Sequence, residues 1–273
     1  MGTDDAADAL DSLRRIIRSY ESVVVAYSGG VDSTLVAAVA HRELGERALA
    51  VTAQSEMYPQ FQLEDASRQA HGIGIRHEVI HTRELDVPSF SDNPPDRCYW
   101  CKQELFGRMR EIADREGFRE VADGANADDE HDHRPGLRAA AELGVKSPLR
   151  EAKIGKEMVR KISRKLGLAT WGKPAFACFA SRFPYGMCIT PEGIEKVRLA
   201  EEVVRSLGLT QYRVRHHGTI ARIEALPEDI AKLASPEVRA GLVEAFKRIG
   251  YTYVTLDLEG FRSGSMNEVL PER

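Results

Sequence analysis

The chain has 273 residues, 42% hydrophobic, 7% aromatic and 29% charged, with 38 Lys+Arg against 42 Asp+Glu and a formal net charge of −4. That length suits one large domain or a main domain with a smaller appendage, and the apolar fraction excludes wholesale disorder. The acidic balance excludes a chain-wide basic field, so nucleic acid is not an expected partner, although a local basic groove stays open. No apolar run approaches the about 20 residues that a membrane helix needs, so no membrane partner is expected. The opening MGTDDAADAL is acidic and lacks the cationic and apolar regions of a signal peptide, which gives the expectation of a cytoplasmic protein. Four cysteines (Cys98, Cys101, Cys178 and Cys188) are too few for a disulfide framework. The C-x-x-C spacing of Cys98 and Cys101 reads instead as metal, cluster or redox chemistry.

In chain order, Ser22–Tyr27 is a β-branched apolar run of the kind buried on both faces of a parallel sheet. It ends at Ser28-Gly29-Gly30, after which Ser33–Leu44 carries helical spacing and stops at Gly45. A strand over Ala48–Thr52, a helix from about Gln60 to His71 and a strand over Arg76–Ile80 follow. Lys102–Glu116 then reads as a helix and Glu120–Asp123 as a fourth strand. This alternation predicts an α/β fold with a doubly wound parallel sheet, its ligand lying beyond the carboxyl ends of the strands. From about Thr190 the rhythm changes. A helix led by Pro191 runs to Leu207, two alternating strands cover Gln211–His217 and Thr219–Ala225, a helix covers Pro236–Ile249, and a last strand covers Tyr251–Leu256. The expected division is a nucleotide domain over 1–188 and a small C-terminal α+β domain over 189–273.

Ser28-Gly29-Gly30-Val31-Asp32-Ser33 is the segment with the most chemistry. Two glycines let backbone approach an anion closely, and successive N–H groups with a helix N-terminus hold phosphate oxygens. Ser28 and Ser33 add hydroxyls, and Asp32 offers a carboxylate to a magnesium ion on those phosphates. The ordinary alternative is a glycine turn with serine as helix cap. The lysine of the G-x-x-x-x-G-K-[ST] loop is absent, which disfavours β–γ phosphate transfer.

Ala26–Ser33 resembles the S-G-G-x-D-S signature of the PP-loop ATP pyrophosphatases (the adenine nucleotide alpha hydrolase-like fold), and Ala122–Asp129, containing Asp123, resembles a second stretch of that family, which the resemblance places near ATP. The resemblance implies cleavage of ATP between the α and β phosphates and adenylation of a substrate oxygen. Trp171–Gly186, with Cys178 and Arg182, followed by Ile189-Thr190, is similar to the pyridinium biscarboxylic acid mononucleotide sulfurtransferase family (LarE), and this likeness runs almost the whole chain. It implies an ATP-dependent enzyme that converts a carboxylate of a nicotinate-derived mononucleotide to a thiocarboxylate for a nickel-pincer cofactor.

In that family the cysteine at the position of Cys178 carries the sulfur chemistry. One branch sacrifices it to dehydroalanine; another uses three cysteines to hold a [4Fe-4S] cluster with one open iron. Cys98, Cys101 and Cys178 are the candidate ligands here, with the sacrificial route as alternative; a zinc half-site completed by His131 or His133 and a redox pair are the bland readings. Cys188 reads as structural. Arg213 and Arg215 match the family's substrate-phosphate arginines, Glu224 an acidic metal-binding residue, and Glu201 a second such carboxylate. The alternative for this hairpin is a solvated, salt-bridged strand face. Arg262, in a glycine-flanked loop, is a further anion contact, and Trp100 either stacks on the substrate ring or packs at a boundary. Amidating and tRNA-thiolating PP-loop enzymes, and a non-catalytic nucleotide-binding module, are the rivals. The family implies a homo-oligomer.

Overall fold

The structure, a computed structural model, describes residues 4–131, 135–174, 176–262 and 264–270. The chain divides into two compact units, one running to Phe90 and resuming over Asp96–Phe176, the other formed by Ser91–Pro95 and the chain from Ala177 onward.

In the first unit the elements are α1 (Asp4–Ser19), β1 (Val23–Ala26), α2 (Val31–Leu44), β2 (Ala48–Gln54), α3 (Gln60–Ile73), β3 (Arg76–His81), the single turn α4 (Pro88–Ser91) that leads out of it, α5 (Arg97–Glu116), β4 (Glu120–Ala122), α6 (Pro135–Glu142), the single turn α7 (Pro148–Glu151) and α8 (Lys156–Lys165). The four strands form one parallel sheet in the order β3-β2-β1-β4, with Val24 opposite both Leu49 and Val121. Successive β1 side chains point to opposite faces. Val23 and Val25 join Leu13, Leu35, Val39 and Ile162 in one core; Val24 joins Phe106, Met109 and Ile112 of α5 in another. Burial on both faces is why this strand is continuously apolar, and the parallel sheet with helices on each side is the architecture that the alternation predicted.

The second unit contains α9 (Pro191–Ser206), β5 (Tyr212–His217), β6 (Ile220–Ala225), α10 (Pro227–Ala234), α11 (Pro236–Ile249) and β7 (Tyr253–Leu256). β5 and β6 form an antiparallel hairpin around Gly218, whose φ of +66° suits glycine, and β7 pairs parallel to β6. Thr190 caps α9 by accepting the Gly193 N–H at 3.1 Å, with Pro191 in the first turn. Val204, Val214, Ile223, Leu242, Phe246 and Tyr251 form the core. The last strand begins at Tyr253 rather than Tyr251, because the Tyr251 ring is drawn into that core. The change of unit falls at Phe176–Ala177, whereas the rhythm of the predicted elements put it at 188/189. The intervening residues are tied to Ser91–Pro95: Ile189 N–H donates to Ser91 O (2.7 Å), Gly186 N–H to Asn93 O (2.9 Å), and the Asn93 amide to the carbonyls of Phe183 and Pro184.

Two buried ion pairs brace this unit. Arg182, 0% exposed, makes a bidentate pair with Glu201 of α9 (2.8 and 3.0 Å), and Glu201 also accepts the Val214 N–H at 3.1 Å. Arg215 pairs bidentately with Glu224 across the hairpin (2.8 and 2.7 Å). Removing one partner of such a pair strands a buried charge, at a cost of about 3–5 kcal/mol. Glu201→Gln is therefore expected to lower unfolding free energy by about 3–5 kcal/mol in urea titration. Glu195→Gln, in an exposed pair with Arg198, is expected to change it by about 1 kcal/mol or less.

Candidate active site

The Ser28–Ser33 loop joins β1 to α2, so the buried strand delivers it to the helix N-terminus. Gly29 has φ +65°, and a Cβ there would lie 2.9 Å from the Cα and Cβ of Ala66 on α3. Both facts require glycine. The Ser28 and Ser33 hydroxyls lie 3.1 Å apart, Ser28 N–H donates to Ser33 Oγ (3.2 Å), and Gly30 N–H donates to Ser28 Oγ (3.3 Å). Gly30 occupies the cap position of α2 without a side-chain cap, so first-turn N–H groups are available to an anion.

The Ala122–Asp129 stretch lies directly against this loop. A Cβ on Gly124 would fall 2.9 Å from the backbone nitrogen of Ser33. Asn126 donates to Asp32 at 3.3 Å, and Asp123 accepts the Ala125 N–H at 3.0 Å. Burial pushes the Asp123 carboxyl up, against the pull of its hydrogen bonds from Ala125 and Ser147. Thus Ser28, Gly29, Gly30, Asp32, Ser33 and Asp123 converge at the carboxyl end of β1, where an open α/β sheet binds its ligand.

Two lysines without an assigned role in the sequence reading join them. Lys156, at the start of α8, forms an ion pair with Asp32, while its N–H is held by Asp128 at 2.7 Å. Lys173 donates to the Gly29 carbonyl at 2.9 Å and pairs with Asp65 of α3. Burial works against the charge on Asp65, but hydrogen bonds from Lys173 and Arg68 outweigh it and hold the carboxyl below its ordinary value. Neither lysine lies in a recognisable spacing; Lys173 stands within the Trp171–Gly186 stretch, which was the available signal. Both Asp32 carboxylate oxygens are engaged, Oδ1 by Asn126 and Oδ2 by Lys156.

In the second unit the half-buried Cys178 opens a short 3₁₀ turn over Phe179–Arg182. Its carbonyl accepts the Ser181 N–H (3.1 Å), the Ser181 hydroxyl (2.9 Å) and Arg182 Nη1 (3.1 Å), and Arg182 also donates to Ala177 O at 2.7 Å. Arg215 donates to Ser181 O. The buried arginines that pair with Glu201 and Glu224 thus also fix the backbone around Cys178. Arg213 stands over the Phe261 ring at 5.0 Å, and burial, with the nearby Arg182 charge, lowers its guanidinium to about 10. These are buried strand arginines rather than a solvated face. Arg262 is on the surface, paired with Glu259 and Glu268.

Glu201 and Glu224, expected as metal ligands, have both carboxylate oxygens engaged by guanidinium groups, those of Arg182 for the first and of Arg215 and Arg222 for the second. Cys98 and Cys101 lie one turn apart at the start of α5, in the first unit, and Trp100 between them meets the Tyr99 ring edge-on at 5.1 Å. None of the four cysteines is in a disulfide. Among the described residues no group of three or more His, Cys, Asp or Glu side chains is gathered to hold a metal ion. The His131 side chain and His133 lie outside the described residues. Among the described residues no helix is long and apolar enough to cross a membrane.

Comparison with known proteins bears on the same residues. The NAD synthase family model matches residues 7–113, which include the glycine loop. GMP synthase (glutamine-hydrolyzing) of Shewanella baltica is 28% identical over 186 residues, covering 59% of this chain and 34% of that enzyme. An uncharacterized protein of Synechocystis sp. is 48% identical over 261 residues, 96% of this chain and 97% of its own length. The pyridinium-3,5-bisthiocarboxylic acid mononucleotide synthase of Lactiplantibacillus plantarum is 39% identical over 263 residues, 93% of this chain and 92% of that protein. With the glycine loop and the Cys178 turn both in place, the chain is an ATP-dependent enzyme of the PP-loop type and belongs to the family of that synthase, the LarE family.

Proposed function

We propose that the protein adenylates a carboxylate of a nicotinate-derived mononucleotide with ATP and converts it to a thiocarboxylate using sulfur supplied at Cys178, as a step in making a nickel-pincer nucleotide cofactor. The observation that carries this reading is the uncapped N-terminus of α2 behind Gly29-Gly30, hemmed by the Ala122–Asp129 stretch, in a chain whose Cys178 turn is fixed by buried arginines.

In this reading a carboxylate oxygen attacks the α-phosphorus, the α–β anhydride bond breaks, and pyrophosphate leaves with the bonding pair. Loop N–H groups, aimed at the charge that develops on the leaving oxygens, lower the barrier without reorganisation. Lys156 supplies a cation beside Asp32, and a magnesium ion at Asp32 would further offset the triphosphate charge. Adenylation is required because a carboxylate is a poor electrophile, whereas a thiolate is an effective nucleophile toward an acyl adenylate. Cys178 Sγ then attacks the carbonyl carbon, losing its proton, and AMP departs. Breaking the Cys178 Cβ–S bond as the Cα proton is lost leaves the thiocarboxylate on the substrate and dehydroalanine in the chain. Arg213, a buried cation beside Arg182 and Arg215, is the side chain best suited to the substrate phosphate.

Cys178→Ala is expected to abolish thiocarboxylate formation while pyrophosphate release from ATP in the presence of the mononucleotide stays within about threefold of wild type, since the thiol acts only after adenylation. Thiocarboxylate made by that variant at the normal rate would refute the assignment. Intact mass after one turnover is expected to fall by about 34 Da, the loss of H₂S from a single cysteine, a product off the usual oxidation ladder. An unchanged mass together with iron and sulfide in anaerobically purified protein would instead favour a cluster at Cys98, Cys101 and Cys178.

A further inference from the structure

The Gly29–Gly30 peptide is a point of weakness in the anion cradle. Glycine on both sides leaves the flanking torsions almost unrestricted, so the residues that permit the turn also permit its peptide plane to flip. A trans peptide is planar, with its C=O and N–H pointing in opposite directions. Whatever holds the Gly29 carbonyl therefore decides where the Gly30 N–H points. Here the carbonyl is held by Lys173 at 2.9 Å, and the Gly30 N–H donates at 3.3 Å to Ser28 Oγ, on the side of the Ser28 and Ser33 hydroxyls, which lie 3.1 Å apart.

Lys173 is itself placed by several contacts. Its ammonium pairs with Asp65, which is in turn held by Arg68 (3.0 Å) and Gln69 (2.6 Å). Arg160 donates to the carbonyls of Trp171 (2.7 Å) and Lys173 (3.1 Å), which fixes the backbone that carries the side chain. Asp65 also neighbours Ala66, against which Gly29 packs too closely for any side chain. One helix, α3, therefore supplies both the surface that admits the glycine and the carboxylate that steadies the lysine.

We infer that Lys173 is a positioning residue that locks the Gly29–Gly30 peptide with its N–H facing the phosphates, so that loss of the lysine lets the peptide flip and turns a donor for pyrophosphate into a repelling carbonyl. The inference rests on the proposed ATP pyrophosphatase chemistry, and its test separates the two. Lys173→Met, Lys173→Arg and Asp65→Asn are compared with wild type for pyrophosphate release (kcat and KM for ATP), for affinity toward the α,β-methylene analogue of ATP, and for melting temperature without nucleotide. Loss of one preorganised donor predicts a fall in kcat of about 10²-fold for Lys173→Met. Its melting temperature should stay near wild type, Lys173→Arg should recover most of the rate by donating to the same carbonyl, and Asp65→Asn should show a smaller loss. Wild-type kcat in Lys173→Met, or an equal loss in Lys173→Met and Lys173→Arg, would overturn the role. If wild type itself releases no pyrophosphate, the proposed function fails. The analogue then still reads Lys173: weaker binding by Lys173→Met, restored in Lys173→Arg, supports the lock, and unchanged binding overturns it.

Discussion

Backbone proximity around the Gly29-Gly30 turn is the constraint on which the first unit depends. An N-terminus of α2 that is to receive an anion must be left uncapped, and it must be approached by neighbours that bring no side chain between. Gly29 against Ala66 and Gly124 against Ser33 meet that demand from two sides. The parallel sheet is what makes this arrangement reproducible: β1 is buried on both faces, so its end is fixed, and β4 lies beside it in register and delivers the second stretch to the same place. The cations then follow. Lys156 and Lys173 reach the loop from distant parts of the chain and are held by carboxylates, Asp32 and Asp65, so that positive charge is present at the cradle without being left uncompensated.

The second unit solves a different problem with the same components. Two of its buried arginines, Arg182 and Arg215, do not point into solvent as open anion receptors; each is clamped by a glutamate and also donates to carbonyls of the Ala177–Ser181 backbone. A cysteine on a turn without regular secondary structure would otherwise sample many positions. Tying its carbonyl to Arg182, held by Glu201 of α9, and the Ser181 carbonyl to Arg215, held by Glu224 of β6, removes that freedom before substrate arrives, which is the physical content of preorganisation.

Much of this was legible in the sequence because it is local. The run at Val23–Ala26, the glycines after it and the periodicity of α2 specify strand, turn and helix within a short window, and Asp123–Asp129 follows a strand in the same way. The hairpin arginines were legible as a face because alternation is local as well. What escaped was carried by contacts between residues far apart in sequence. Nothing near Lys156 distinguishes it from a surface lysine, Lys173 carried no signal beyond its place in the Trp171–Gly186 stretch, and Asp65 sits on a polar helix that gives no hint of its ion pair. Glu201 and Glu224 were visible as carboxylates; their burial against Arg182 and Arg215 follows from how α9 packs on the hairpin, which spacing does not encode. α10 was passed over because its eight residues, starting at Pro227, are too few for a periodicity to stand out.

The short excursion at Ser91–Pro95 has a consequence for how the chain is made. These residues pair with Phe183–Ile189, so the second unit is discontinuous and the Asp96–Phe176 part of the first lies between its two pieces. On a ribosome the early piece must wait until the later one has emerged, and closing that wide loop carries an entropic cost that grows only slowly with its length. α5 and β4, lying inside the loop, can assemble on β1 and β2 in the meantime, which makes vectorial synthesis itself a guide to the order of folding. Severing the polypeptide between Phe176 and Ala177 would not yield two self-sufficient fragments, because Asn93 would stay on the wrong side of the cut.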